Sequence, residues 1–347
     1  MSRTLLAAAA LGVGGYLAYR AAQPRYRFRD RHVVVTGGSR GLGLVLARHL
    51  MRLGARLTIC SRDADELARA EAELREFGRP VVAIECDVTD RERVREFLAV
   101  ARRSNGPVDV LVNNAGTIRV GPAEEMTPAD FEQSLRTHFW GPLYTTLEVL
   151  PEMTARRAGR IVNVASIGGK VAFPHLLPYS TGKFALVGFS TGLRAEVARY
   201  GVAVTTVCPG PLRTGCHLNA EFKGRHREEY RWFAANSAVP GWSTSAESAA
   251  QSILAACSRG DAEVVIGLPA KAAVAAHALC PNLTADVLAC LNRRVLPAPG
   301  GPGPEVTRGR DNRAALPAWV TTLADRAAAR NNELHAAAVP PPLPADS

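Results

Sequence analysis

The 347-residue chain has no apolar run long enough for a protein that crosses a membrane many times, no Cys-x-x-Cys pair and no internal repeat. Its seven cysteines, Cys60, Cys86, Cys208, Cys216, Cys257, Cys280 and Cys290, are scattered and have no paired histidines, so no metal centre is expected. An odd count without a disulfide framework fits a reducing compartment. Most of these thiols read as small core residues; Cys216, in an expected loop, is the candidate for a reactive one. With 47% hydrophobic and 21% charged residues, the composition is ordinary for a globular chain and excludes wholesale disorder.

What the chain does have is a formal charge of +10, a signature shared by binders of nucleic acid, anionic membranes and acidic substrates. Its distribution separates these classes. Residues 1–31 carry +5 and residues 293–347 carry +2, which leaves +3 on the whole middle. No nucleic-acid motif accompanies it, so no nucleic-acid partner is expected. Residues 4–19, TLLAAAALGVGGYLAY, are uncharged and mostly apolar. A helix of that length spans about 24 Å against a hydrocarbon core of roughly 30 Å, and Arg20 snorkelling would extend it. A cleaved signal peptide and a plain surface-packed terminus compete with a single membrane anchor over 1–29. The anchor is the preferred reading, and the arginines after it would keep the body cytoplasmic.

Residues 30–268 alternate short apolar runs with helical spacings. HVVVTGG, ARLTICSR, PVVAIECDV, VDVLVNNAG, GRIVNVAS, VAVTTVCPG and AEVVIGL read as strands, with amphipathic helices between them. The pattern predicts an α/β fold: one Rossmann-like, doubly wound parallel sheet with helices on both faces. Residues 269–296 read as a helical extension split by Pro281. Residues 297–347 read as a Pro/Gly-rich linker, a short helix and a disordered tail.

The first strand runs into Thr36-Gly37-Gly38-Ser39-Arg40-Gly41-Leu42-Gly43 and then a helix. Glycines there let the backbone approach a pyrophosphate, and the helix N-terminus offers N–H donors and a positive dipole. Gly37, Ser39, Arg40, Gly41, Leu42 and Gly43 are therefore candidate cofactor contacts. The second strand ends in Ser61-Arg62, where an NAD-specific site places an acid. Arg40 and Arg62 suit a 2′-phosphate instead, so NADP(H) is expected over NAD(H).

With these residues in view, the chain resembles the short-chain dehydrogenase/reductase family over about residues 30–266. The glycine loop matches TGxxxGxG, and Asn113-Asn114-Ala115-Gly116 matches NNAG. Ser166 with Tyr179-Ser180-Thr181-Gly182-Lys183 matches the Ser and YxxxK pair, and Pro209-Gly210 with Thr214 matches PGxxxT. The resemblance implies that Asp87 and Val88 meet adenine, that Asn113, Ala115 and Gly116 line the cofactor cleft, and that Pro209, Gly210 and Thr214 cover the nicotinamide. It also implies that Lys183 reaches the ribose hydroxyls. Tyr179 and Lys183, four apart, share one helix face. A tyrosine hydroxyl titrates near pH 10, and an adjacent ammonium is expected to lower it. Tyr179 would protonate the substrate oxygen and Ser166 would stabilise it. One position departs from the family: His138 stands where an Asn commonly helps to hold a relay water. It reads either as a proton-relay residue or as packing.

Residues 212–245 follow the PG loop and are expected to form a substrate lid. Phe222, Tyr230, Trp232, Phe233 and Trp242 in it suggest a bulky, hydrophobic carbonyl or alcohol substrate, or else they pack the loop onto the body. The expected function is NADPH-dependent carbonyl reduction or its reverse. A non-catalytic NADP-binding scaffold or sensor, and an epimerase or dehydratase of the same family, are the alternatives. The resemblance suggests a homodimer or homotetramer through the helices that carry His138 and Tyr179.

Overall fold

The structure, a computed structural model, describes residues 14–15, 24–301 and 305–334. Of the expected N-terminal segment 1–29 only residues 14–15 and 24–29 are described, so the apolar stretch expected as an anchor lies outside the described residues apart from Gly14 and Gly15, as does the end of the expected tail. Among the described residues no helix is long and apolar enough to cross a membrane, and no cluster of ligands could hold a metal ion.

The first half runs β1 (His32–Thr36), α1 (Gly41–Arg52), β2 (Arg56–Ser61), α2 (Ala64–Arg75), β3 (Val81–Glu85), α3 (Arg91–Asn105) and β4 (Val110–Asn113). Next come β5 (Arg119–Val120), α4 (Pro128–Leu135), a π-helical turn Arg136–Trp140, α5 (Gly141–Ala155), β6 (Gly159–Val164), α6 (Leu177–Val197) and β7 (Val202–Pro209). The segment after the PG loop holds β8 (Leu212–Arg213), α7 (Cys216–Asn219), β9 (Glu221–Phe222), α8 (His226–Ala238) and β10 (Thr244–Ser245). The chain continues through α9 (Ala246–Arg259), β11 (Glu263–Ile266), α10 (Leu268–Leu279), α11 (Pro281–Arg294), β12 (Thr307–Arg308) and α12 (Ala318–Arg330).

Seven strands form one sheet in the order β11-β7-β6-β4-β1-β2-β3, and every pair in it is parallel. All five residues of β1 are buried because helices cover both faces. Strand alternation sends Val33 and Val35 into one apolar layer and Val34 into the other. Several helix starts carry side-chain caps: Asp63 accepts from the Glu66 N–H at 2.9 Å, and Asp90 accepts from Glu92 and Arg93. Helix α1 differs, with no side-chain cap and no acidic residue in its first turn. Strand order reverses between β1 and β4, so this uncapped N-terminus opens at the switch point, where such sheets bind dinucleotides.

The segment expected as a substrate lid forms a small layer of its own. β5, β9 and β12 make a three-stranded sheet, and Val120, Ala220, Phe222, Tyr230, Phe233 and Ala234 form a separate apolar core on it. Phe222 and Tyr230 are fully buried and Phe233 nearly so, which favours the packing alternative for these three rings. Trp232 is partly buried, with its indole N–H donating to Glu229 at 2.7 Å. Trp242 is half exposed and remains available to a ligand. The third strand of this sheet, β12, arrives some eighty residues after β9, so no local pattern announces it.

Candidate active site

β6 ends beside Ser166, Tyr179 and Lys183. Ser166 begins a 3₁₀ turn over Ile167–Gly169, and its Oγ accepts the Gly168 N–H at 3.0 Å. The turn lies flat on α6 because it is built from glycine: a Cβ on Gly169 would sit 2.7 Å from the Lys183 carbonyl oxygen. Tyr179 and Lys183 stand one turn apart on α6, with the ammonium 5.7 Å from the tyrosine ring. Lys183 is buried and donates from Nζ to the Val164 carbonyl at 2.9 Å.

The electrostatics differ from the expectation that Lys183 lowers Tyr179. Burial pushes the Tyr179 hydroxyl up to about 12, with the Ser166 hydrogen bond pulling against it. Burial also pulls Lys183 down to about 7. Both charged forms lose water, and loss of hydration outweighs the attraction that the i, i+4 spacing suggested. The site therefore holds a neutral phenol beside a readily neutralised amine.

His138 lies in the π-helical turn, its ring edge-on to Tyr179 with centroids 5.2 Å apart. Its Nε2 accepts the Thr117 N–H at 3.3 Å, which leaves Nδ1 to carry the hydrogen and donate to Ser134 Oγ at 3.1 Å. Burial and the nearby Lys183 hold its pKa well below the usual imidazole value, so the ring is neutral. The Cys216 thiol is pushed up to about 11 by burial, which removes the signature of a reactive nucleophile.

The expected cofactor residues divide into cleft and support. Gly37 (φ 63°) crosses so close to the NNAG segment that a Cβ would lie 2.9 Å from Ala115 Cα, and a Cβ on Gly43 would run into the Gly37 carbonyl. Ala115 donates its N–H to Thr36 Oγ1, and Gly116 lies against the His138 ring. Leu42 follows Gly41 in the first turn of α1. Asn114, which the motif reading left without a role, ties the two loops: its Nδ2 donates to the Thr36 and Gly37 carbonyls at 3.1 Å each. Asn113 instead points into the protein, bonded to Asn163, Thr145 and Thr146 beneath the cleft.

Ser61 Oγ accepts the Asp63 N–H, and the mostly exposed Arg62 lies 3.8 Å from Asp87. Asp87 accepts the Thr89 N–H, whereas the cap of α3 is Asp90. Val88 is buried against Gly141. Arg40 pairs with Glu66 at 2.9 Å, and Ser39 Oγ donates to the same carboxylate. Pro209 ends β7, Gly210 donates its N–H to Ile266, and buried Thr214 accepts the Cys216 N–H. Sequence reasoning also missed buried His175, which bonds Glu229 at 2.8 Å and ties the loop after Ser166 to α8.

A doubly wound sheet, an uncapped helix N-terminus behind a glycine loop, and a Ser–Tyr–Lys group beyond the switch point define a dinucleotide-dependent oxidoreductase. The short chain dehydrogenase family model matches residues 31–222, and the chain belongs to that family. It is 31% identical to dehydrogenase/reductase SDR family member 7B of Bos taurus, over 77% of this chain and 82% of that protein. It is 37% identical to 3-ketodihydrosphingosine reductase of Mus musculus, over 51% of this chain and 55% of the relative. Among solved structures, gluconate 5-dehydrogenase from Burkholderia cenocepacia, in complex with NADP and tartrate, superposes with a TM-score of 0.62. That match is 26% identical and covers 71% of this chain and 98% of the other.

Proposed function

We propose that this chain is an NADP(H)-dependent oxidoreductase that interconverts a hydrophobic ketone and its secondary alcohol. The juxtaposition of Ser166, Tyr179 and Lys183 carries this reading. The nicotinamide cofactor, when bound, supplies or takes up the hydride at the substrate carbon. Ser166 Oγ accepts the Gly168 N–H and is bonded to the Tyr179 hydroxyl, and it would donate its own hydrogen to the substrate oxygen once that oxygen is bound. Tyr179 gives its phenolic proton to that oxygen as negative charge develops. Lys183 spends one hydrogen on Val164 and has others for the ribose hydroxyls and the phenol. Gly37, Gly41, Leu42 and Gly43 would hold the pyrophosphate, with Asn114 fixing the loop. Preference for the 2′-phosphate is supported by Ser61 in place of an acid and by Arg62, whose side chain is more than half exposed.

An apolar substrate is supported by the exposed Trp242, which precedes the β10 strand paired with β8 after the PG loop, and by the lipid ketone that the murine relative's name specifies. The sugar-acid activity named for the Burkholderia structure gives the competing outcome. A screen of NADPH oxidation against carbonyls graded by size and polarity tests the reading. Turnover is expected on bulky apolar ketones. Turnover confined to polar sugars would overturn the substrate class, and bound cofactor with no reduction of any carbonyl would favour a scaffold or an epimerase. Arg62→Ala is expected to raise KM for NADPH roughly tenfold and leave KM for NADH unchanged, the loss of one charge-assisted bond. Equal effects on both cofactors would remove Arg62 from the 2′-phosphate site.

We also propose that His138 relays protons to Lys183 in place of the family's asparagine. Its ring is neutral with both nitrogens engaged, so a relay requires breaking the Ser134 or Thr117 bond. His138→Ala is expected to distort the pH–rate profile near neutrality, and His138→Asn to restore it. An unchanged profile in the alanine variant would leave His138 a packing residue.

A further inference from the structure

After α12 the chain turns back onto the glycine loop, nearly three hundred residues away in sequence. The Asn331 carbonyl accepts the Gly41 N–H at 2.9 Å, the first residue of α1. Asn332, in a left-handed conformation with φ 57°, donates from Nδ2 to the Ser39 carbonyl at 2.9 Å and the Glu66 carbonyl at 2.8 Å. Arg69 donates to Asn332 Oδ1, and Arg48 donates to Asn331 Oδ1 and the Arg330 carbonyl. Every one of these bonds grips the segment through α1, α2 or the loop between β1 and α1.

Glu333 follows and is buried. Its carboxylate lies directly over Gly41, where any Cβ would collide with it, and 3.6 Å from Arg40. Asn219 donates to the same carboxylate at 2.5 Å. On the opposite side, a Cβ on Gly215 would lie 3.2 Å from Glu333 Cβ. The residue thus fills the gap between the glycine loop and the segment after the PG motif. Helix α1 has no side-chain cap and no acid in its first turn, and the space over its N-terminus is filled from the far end of the chain.

We propose that Asn331–Glu333 is an affinity determinant of the cofactor site: the Glu333 carboxyl holds the phosphate-binding end of α1, and a dinucleotide must displace it to bind. The Glu333 carboxyl fills the space over Gly41 and the Asn331 carbonyl takes the Gly41 N–H, so the segment and a pyrophosphate cannot occupy that end of the helix together. The inference rests on the assignment of this loop to dinucleotide binding.

Titration gives the device a direction. Burial raises Glu333 from the usual 4.5 to about 7, against the pull of Arg40 and Asn219. The charged and titratable groups facing it are Arg40 from the glycine loop, Glu66 from α2, Arg310 from the turn Gly309–Ala315, and the Cys216 thiol from α7. The closed segment binds the proton more tightly than the released one does. Closure is therefore fully favoured below about pH 4.5 and is lost as pH rises through about 7. Cofactor affinity is expected to rise over the same interval.

Dissociation constants for NADPH and NADH, measured by titration calorimetry from pH 5.5 to 8, test this on the full chain, on Glu333→Gln, and on a chain ending at Arg330. The shortened chain is expected to bind both dinucleotides at least tenfold more tightly than the full chain at pH 6, with the two converging at pH 8. Any pH slope left in the shortened chain for NADPH alone belongs to the 2′-phosphate. Glu333→Gln, which keeps the neutral shape of the closed segment, is expected to bind weakly at every pH. Equal or weaker binding by the shortened chain would overturn the proposal, as would a Glu333→Gln variant with the pH dependence of the full chain. If the shortened chain does not fold, the Glu333→Gln profile decides alone. If none of the three binds a dinucleotide, the assignment of the loop fails as well, which the first two outcomes leave intact.

Discussion

Tyr179→Phe is expected to lower kcat by about 10²–10⁴-fold while leaving the dissociation constant for NADPH unchanged, the range over which a positioned proton donor acts. The substitution removes one oxygen and keeps the ring that packs against Gly168 and His138. No described side chain other than Ser166 is hydrogen-bonded at that hydroxyl, and Ser166 sits at the edge of the same turn. The loss should fall on kcat, because the proton is needed as charge builds on the substrate oxygen and not when substrate binds. Single-turnover kinetics with pre-bound NADPH checks this. A variant with near-normal turnover would remove Tyr179 from the reaction, and one that fails to bind NADPH would make the hydroxyl part of the cofactor site. The pKa of about 12 bears on the direction of the reaction: a phenol held protonated by burial is a competent donor for reduction throughout the neutral range. The reverse reaction needs the phenolate, and is expected to accelerate toward high pH.

The core of this arrangement was legible because it is local. Strands of the central sheet announce themselves as apolar runs, Tyr179 and Lys183 share a helix face by their spacing, and the glycine loop lies between one strand and one helix. What was not legible depends on contacts between distant residues. Nothing near Arg136–Trp140 signals a π-helical turn, yet that turn sets the His138 ring against Tyr179. The balance that leaves Lys183 near 7 and Tyr179 near 12 comes from burial, and spacing along a helix carries no information about burial. Asn113 and Asn114 are neighbours in one motif. Strand alternation turns the first into the protein and leaves the second to bind the glycine loop. The closure of Glu333 over Gly41 joins two points nearly three hundred residues apart, so composition could record both ends without relating them.

The rings of the 212–245 segment show the same limit and yield a second large effect. Phe222→Ala is expected to destabilise the protein by about 3–5 kcal/mol, the range for removing a buried phenylalanine. Phe222 is fully buried between the rings of Tyr230 and Phe233, with centroid distances of 5.7 and 5.8 Å. It also sits in β9, the middle strand between β5 and β12, so a cavity there loosens the joint between the body and the C-terminal segment. A fall in Tm and faster proteolysis around β12 are the expected readouts. Trp242→Ala is the contrasting case: its ring is half exposed, so stability should change by less than about 0.5 kcal/mol. If Trp242 meets substrate, KM for bulky ketones should rise in that variant while KM for small ones holds. An unchanged Tm in Phe222→Ala with a raised KM would reverse this division and return the buried rings to the substrate. The sequence alone placed all five aromatics on equal terms. Burial separates them, because a ring packed on two others has no face left to offer a ligand.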